Sequence, residues 1–302
     1  MKILGHIHSF NDEEVIDRSL AALLGQTYAL DEILIVDNAS TDGTLRRSFP
    51  DKVTVIRHLE NRGTSGAVIT GFEYALKKQY DWIWVFDADS APHKHALEKL
   101  MELYHGFPSE LQEQILVLAA HASGGIFTRT GIKGVQPKPD QLFCECDACL
   151  WTGSLFNLAA VQKVGLPSPD YVLDMGEVAY GYQGKRCGYK TLVYQGNMMD
   201  HDLGGPAMRF RTRRFGPFSF TAVELPPIRC YYIVRNTIYF WLYEYQNLNF
   251  VTALYSILRQ LSVFTGKNII NFLLRPRNGW PVLVACLRGW WDGLFKNMKR
   301  RY

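Results

Sequence analysis

Trp82-Ile83-Trp84-Val85-Phe86-Asp87-Ala88-Asp89-Ser90-Ala91-Pro92 is the stretch whose reading decides the fold. An apolar run, Trp82 to Phe86, stops abruptly at two aspartates, and Pro92 closes the turn. Short apolar runs bounded by turn residues suit strands buried on both faces of a sheet. In open α/β sheets, ligands collect at the carboxyl ends of such strands. Asp87 and Asp89, leaving one strand tip together, offer an oxygen-rich site for Mg²⁺ or Mn²⁺ that could bridge to a diphosphate. The same residues also suit a capping turn that starts a helix. The rest of the chain decides between the two.

Toward the amino end, strand and helix patterns alternate. Lys2–His8 reads as a strand, and Ser9-Phe10-Asn11-Asp12 turns into a helix with apolar positions Val15, Ile16, Leu20, Leu23 and Leu24. Glu32–Val36 and Val53–Arg57 read as further strands. Between them lies Asp37-Asn38-Ala39-Ser40-Thr41-Asp42-Gly43-Thr44, dense in capping residues. Asn61-Arg62-Gly63-Thr64-Ser65-Gly66 leads into a helix around Ala67–Lys78. Strands separated by helices of this length imply βαβ crossovers and a mostly parallel sheet, with the polar turns gathered at one edge. Asp37 at a strand end could accept the imide N–H of uracil or thymine. Asn61, Arg62 and the neighbouring glycines allow backbone and guanidinium to approach a base or phosphate. Each of these turns also fits ordinary turn chemistry. Gly63–Gly66 lacks both the Lys-Ser/Thr ending of a P-loop and the spacing of a dinucleotide fingerprint.

Composition narrows the class. The chain has 302 residues, 47% hydrophobic and 21% charged, which suits one large domain or a domain with an appendage. A net charge of +4 is too mild for a nucleic-acid partner. Basic residues crowd instead at Arg209–Arg214 and Lys296–Arg301. Met1 to His6 starts directly as a strand, without a signal peptide, and no apolar run reaches the roughly 18 residues of a spanning helix. Six cysteines without secretory features read as reduced thiols of a cytoplasmic protein.

Ser9-Phe10-Asn11, Gln26, Ile35 through Thr44, Asn61-Arg62-Gly63 and Asp87-Ala88-Asp89 resemble, in order, the landmarks of family 2 inverting glycosyltransferases. The match spans roughly the first 90 residues. The variant Phe86-Asp87-Ala88-Asp89-Ser90-Ala91-Pro92 is most similar to the rhamnosyltransferase and galactofuranosyltransferase branches. The resemblance implies the α/β GT-A fold, a Rossmann-like, mostly parallel mixed sheet flanked by helices. It implies that Ser9, Asn11, Asp37, Asn61, Arg62, Gly66 and Asp87 line a nucleotide-sugar site. It also implies that Asp87 and Asp89 hold Mn²⁺ or Mg²⁺ on the donor diphosphate.

The second half supplies the other expectations. Ile115–Ala120 reads as a strand, and 123–141 as an irregular loop over the site. Trp151, Thr152 and Gly153 resemble a small-residue segment bordering the sugar, here the acceptor side. Cys144, Cys146 and Cys149 lack paired Cys-x-x-Cys spacing, and alternation along a buried strand accounts for the first two without zinc. If 174–187 is helical, Asp174 and Glu177 share a face three residues apart. Counting back from Gly188-Tyr189, Glu177 falls on the family's catalytic-base position, with Asp174 as the alternative. Ala179 and Gln183 depart from the family pattern, and a solvated helix start also favours acidic residues. Asp200-His201-Asp202-Leu203-Gly204 resembles the His-x-x-Gly landmark, making His201 a third metal ligand or a donor to the diphosphate. Cys230-Tyr231-Tyr232-Ile233-Val234-Arg235-Asn236 resembles a segment of the same branch.

Residues 226–302 then read as a helical, aromatic and basic extension to a 1–225 catalytic domain. Trp and Phe opposed to Lys and Arg suit a helix on an anionic membrane surface, with a packing domain or homodimer interface as the alternative. The function expected is a metal-dependent inverting transferase. It would move a rhamnose-like or galactofuranose-like sugar from a dTDP- or UDP-sugar to a glycan or lipid-diphosphate acceptor in cell-surface polysaccharide synthesis. The alternative from another class is a non-catalytic nucleotide-sugar-binding or scaffold subunit. A nucleotidyltransferase needs a basic, glycine-rich triphosphate loop near residue 10, and Ser9–Asp12 is not one.

Overall fold

The computed structural model describes residues 1–121, 142–201, 209–215, 218–245, 250–251, 253–258, 261 and 276–299. The loop expected over 123–141 and the basic residues Arg300 and Arg301 lie outside them. The chain forms two compact units, one of Met1–Pro169 with Gly176–His201, the other of Asp170–Met175 with Asp202–Tyr302.

The first unit is built on an eight-stranded main sheet, with two short strands, Ser90–Pro92 and Met199–His201, paired in a small sheet of their own. In chain order its elements are β1 (Ile3–Ser9), α1 (Ile16–Leu24), β2 (Glu32–Asp37), β3 (Val53–Arg57), α2 (Gly63–Lys77), β4 (Trp82–Asp87) and β5 (Ser90–Pro92). There follow α3 (Ala96–Gly106), α4 (Ser109–Gln114), β6 (Ile115–His121), β7 (Phe143–Cys146), β8 (Ser154–Asn157), α5 (Leu158–Val164), α6 (Gly176–Arg186), β9 (Lys190–Asn197) and β10 (Met199–His201). The main sheet runs β3-β2-β1-β4-β8-β6-β9-β7. β8 is antiparallel to both its neighbours and β7 is antiparallel to β9, while β3, β2, β1 and β4 pair in parallel, as do β6 and β9. This is the mostly parallel mixed sheet flanked by helices that the sequence predicts.

The period-two pattern of the strands explains both layers. Leu4, Leu34, Val36, Ile83 and Val85 bury against Val68, Phe72 and Ala75 of α2 and Val161 of α5. Their neighbours Ile3, Ile7, Ile33, Ile35, Trp82, Trp84 and Phe86 bury against Leu20 and Leu23 of α1 and Leu97 and Leu100 of α3. Because both faces of β4 are covered, the run from Trp82 to Phe86 is apolar throughout. Burying each such side chain stabilises by about 1.5–3 kcal/mol. Parallel register brings the strand tips level: Ser9 pairs with Asp37, and His8 with Asp87.

In the second unit, β11 (Arg209–Phe215) and β12 (Phe218–Glu224) form a separate antiparallel hairpin. The two compact units divide between His201 and Asp202, whereas the boundary expected at 225/226 marks a change of composition. Helix α7 (Pro227–Tyr239), a π-helical turn (Phe240–Glu244) and helix α8 (Pro276–Leu294) follow. α7 and α8 touch backbone to backbone: a Cβ on Gly289 would lie 2.7 Å from the Tyr231 carbonyl, and one on Gly293 2.8 Å from that of Arg235. The other face of α8 shows solvent an apolar stripe of Trp280, Leu287, Trp291 and Leu294, continued by Phe295. Among the described residues, no helix is long and apolar enough to cross a membrane.

Candidate active site

Asp87 is the last residue of β4, and the two-residue reach to β5 carries Asp89 past it. β5 pairs antiparallel with β10, which sets His201 opposite Ser90. His201 Nδ1 then lies 2.7 Å from Ser90 Oγ and 3.4 Å from Asp89 Oδ1. One ligand atom from each of Asp87, Asp89 and His201 lies within 4.8 Å of the others. Two ligands on one octahedral Mg²⁺ or Mn²⁺ stand roughly 3–4 Å apart, given metal–oxygen bonds of about 2.1 Å. Two carboxylates and an imidazole are donors such ions accept. The residues therefore fit a divalent cation. Thr152 braces the group from behind, accepting the Asp87 backbone N–H at 3.2 Å and donating its hydroxyl to Ser90 Oγ at 2.8 Å.

The tips of β1 and β2 are tied to each other and to the turn before α2. Asn11 Oδ1 accepts the Thr41 N–H at 2.8 Å, and Ser40 Oγ accepts that of Asn11 at 2.9 Å. Asn11 and Ala39 both have left-handed backbone, φ 59° and 64°, which these bonds hold in place. Ser9 donates to Asp12 at 2.9 Å, and burial pushes the Asp12 carboxyl above its ordinary range. Asn38 donates to the Gly63 carbonyl at 2.8 Å, and its Oδ1 accepts the Arg62 N–H at 3.2 Å. Asn61 accepts the Gly63 N–H at 2.8 Å. Gly66 is required by close approach, since a Cβ there would meet Arg62 Cβ at 2.4 Å. Asp37 is fully buried: Oδ2 accepts the Ser40 N–H at 3.1 Å and faces Arg57 Nε at 3.5 Å, while Oδ1 makes no hydrogen bond.

The second-half residues divide. Thr152 and Gly153 join the β4 tip, Gly153 through its N–H to the Val85 carbonyl at 2.8 Å. Trp151 is instead a core residue, 5% exposed and packed with Phe72, Phe156 and Tyr180. Cys144 and Cys146 point the same way from β7 into the core, and burial pushes the Cys149 thiol up to about 12. Glu177 stands in the first turn of α6, half-buried, and its charge also bears on Cys149.

Asp174 is not helical. It and Met175 have left-handed backbone, φ 57° and 66°, so the shared helix face expected for Asp174 and Glu177 does not form. The cause lies in the second unit, where Asn236 Nδ2 donates to the Leu173 and Asp174 carbonyls at 2.7 and 2.9 Å. Fully buried Arg235 donates to the Asp170 carbonyl at 2.6 Å and lies 4.7 Å over the Tyr232 ring. The Tyr-Tyr-x-x-Arg-Asn segment thus clamps the residues that precede α6 in the chain.

Sequence reasoning missed His8, whose Nε2 lies 2.6 Å from Asp87 Oδ1, and Ser90, which joins Thr152 to His201. The only sequence signal was two histidines at strand spacing, His6 and His8, whose partner is set by sheet order. A cavity of about 730 Å³ lined by Tyr80, Trp82, Tyr104, Asn157 and Tyr189 lies at the opposite end of β4. It contains none of these groups.

Residues 6–109 match the family model described as Glycosyl transferase family 2. The chain is similar to undecaprenyl-phosphate mannosyltransferase of Micrococcus luteus, 32% identical over 107 residues, which cover 34% of this chain and 44% of that protein. It spans less than half the length of the first curated relatives it matches. Among solved structures it is similar to TarS 1-349 of S. aureus in complex with UDP-GlcNAc, with TM-score 0.54 and 15% identity over 98% of this chain and 80% of that one. It is also similar to mannosyltransferase PcManGT of Pyrobaculum calidifontis in complex with GDP-Man and Mn²⁺, with TM-score 0.52 and 14% identity over 98% of this chain and 87% of that one. These likenesses establish the GT-A fold.

Proposed function

We propose that this chain is a metal-dependent, inverting glycosyltransferase acting from a nucleoside-diphosphate sugar. The observation that carries the reading is the convergence of Asp87, Asp89 and His201 at the sheet edge where Asp37 and the Asn61–Gly66 turn also end. Family 2 similarity over 6–109 and the nucleotide-sugar complexes of the two similar structures support it. Ser9, Asn11 and Asn38 build the walls of the nucleotide site, and Asp37 offers a buried carboxylate toward an imide N–H, which favours a dTDP- or UDP-sugar. The Phe86–Pro92 segment favours a rhamnose-like or galactofuranose-like sugar.

In this mechanism Glu177 takes the proton from an acceptor hydroxyl as that oxygen attacks the anomeric carbon in line. A cation on Asp87, Asp89 and His201 would supply neutralising charge beside the leaving diphosphate. Thr152 and Gly153 border the acceptor side, and no covalent intermediate is needed. The acceptor is a glycan or a lipid carrying phosphate; the similar Micrococcus protein is named for an undecaprenyl-phosphate acceptor. The stripe on α8 favours work at an anionic membrane surface.

The test is metal-dependent thermal stabilisation by a panel of nucleotide sugars, since a donor that binds the folded state raises its stability. One donor should stabilise wild type with Mn²⁺ and be slowly hydrolysed, and Asp89→Asn should lose the metal-dependent part. Stabilisation without any turnover would make the chain a binding subunit. Unchanged metal-dependent affinity in Asp89→Asn would sink the metal site.

A further inference from the structure

We infer that His8 is a positioning residue for Asp87, donating Nε2–H to the carboxylate so that Asp87 is fixed in place before any cation arrives. This rests on the reading of Asp87 as a metal ligand. Parallel pairing of β1 with β4 puts the two residues directly opposite each other, and His8 Nε2 lies 2.6 Å from Asp87 Oδ1. A carboxylate only accepts, so the proton between them sits on Nε2. Nδ1 is buried and makes no hydrogen bond. The ring is therefore oriented by packing and by Asp87.

That packing is specific. His8 is 9% exposed and stacks on His6, with ring centroids 5.8 Å apart and planes 27° apart. His6 is fully buried and in turn rests on α2 at Gly71, where an added Cβ would lie 2.6 Å from His6 Cδ2. Gly71, His6 and His8 form a column that ends on the Asp87 carboxylate. With the Asp87 N–H given to Thr152 at 3.2 Å, backbone and side chain of this residue are each anchored. Partners that orient a ligand in this way are commonly worth about 10–100-fold in metal affinity.

The experiment is a Mn²⁺ titration of the full chain, followed by the electron-paramagnetic-resonance signal of free Mn²⁺, in wild type, His8→Gln and His8→Asn. The glutamine amide nitrogen reaches where Nε2 stands, whereas the asparagine nitrogen stops at the place of Nδ1. Melting curves without metal accompany each titration. The expected result is an affinity about 10–100-fold weaker in His8→Asn, near wild type in His8→Gln, with similar metal-free melting in both. Wild-type affinity in His8→Asn would overturn the inference. So would equal weakening in both variants, because the ring's packing and not its N–H would then matter. A wild type that binds no Mn²⁺, with or without a nucleoside diphosphate, removes the metal reading itself and this inference with it.

Discussion

Asp174 lays its carboxylate on Arg229, with Nη2 3.2 Å from Oδ1 and Nε 3.3 Å from Oδ2. Burial raises the Asp174 carboxyl above its ordinary range and the guanidinium pulls it back. A carboxylate engaged this way, on a left-handed turn held by Asn236, serves structure more readily than proton transfer. The proposed base role therefore stays with Glu177. Glu177→Gln should lower turnover by about 10²–10⁴-fold, as loss of a positioned base does, with donor affinity little changed. Asp174→Asn should keep most turnover and lose about 1–3 kcal/mol of stability. Single-turnover kinetics beside urea unfolding checks both. A dead Asp174→Asn enzyme next to an active Glu177→Gln enzyme would reverse the roles.

Gly153 has φ +78°, and a Cβ there would meet Met199 Sδ at 2.5 Å and the Ala120 carbonyl at 3.1 Å. Its neighbour Thr152 braces the β4 tip. Gly153→Ala should cost about 1–3 kcal/mol from the strained backbone and crowding. It should also weaken Mn²⁺ binding, because the displaced Thr152 no longer holds Ser90. Melting and metal titration on one sample show whether the two effects travel together. A variant as stable as wild type would show that this turn yields freely.

His6 carries a pH signature. Burial, and secondarily the charge of His8, lowers its pKa from 6.5 to about 3. The unfolded chain takes up the proton first on acidification, so stability is complete above pH 6.5 and falls as pH drops toward 3. At about pH 5 the loss is roughly 2 kcal/mol, from about 1.5 pH units at 1.36 kcal/mol each. In His6→Leu this component should vanish, and denaturation at a series of pH values would show a flatter slope. Parallel slopes in the two proteins would mean that His6 is not held neutral.

The α8 stripe gives the last prediction. Trp280 and Trp291 are 57% and 66% exposed, with Arg288 and Lys296 also exposed on the same helix and its end. Aromatic and aliphatic groups beside cations suit the interface of an anionic bilayer. The full chain should float with phosphatidylglycerol vesicles at low salt and less so as salt screens the charges. Trp291→Ser with Phe295→Ser should lose that binding. Indifference to vesicles together with a concentration-dependent dimer would assign the stripe to a second copy of the chain.

What the sequence determined by itself was local. Strand β4 was legible because both its faces are covered, so Trp82 to Phe86 had to be apolar without interruption. β1, β2 and β3 followed from turn residues at fixed places, and Asp87 and Asp89 from the abrupt end of β4. These features depend on neighbours a few residues away. Tertiary structure decided what depends on pairing. Ser90 and His201 are 111 positions apart and meet only because β5 and β10 pair. His8 faces Asp87 because β1 happens to lie between β2 and β4. Asp174 left the helix because Asn236 takes the carbonyls that precede it. Trp151 is apolar enough for a site wall or a core, and only the ring of Phe72, Phe156 and Tyr180 around it made it core. Local patterning writes where elements begin and end. Which side chains then share a site is settled by sheet order and by the hydrogen bonds that buried polar groups must make.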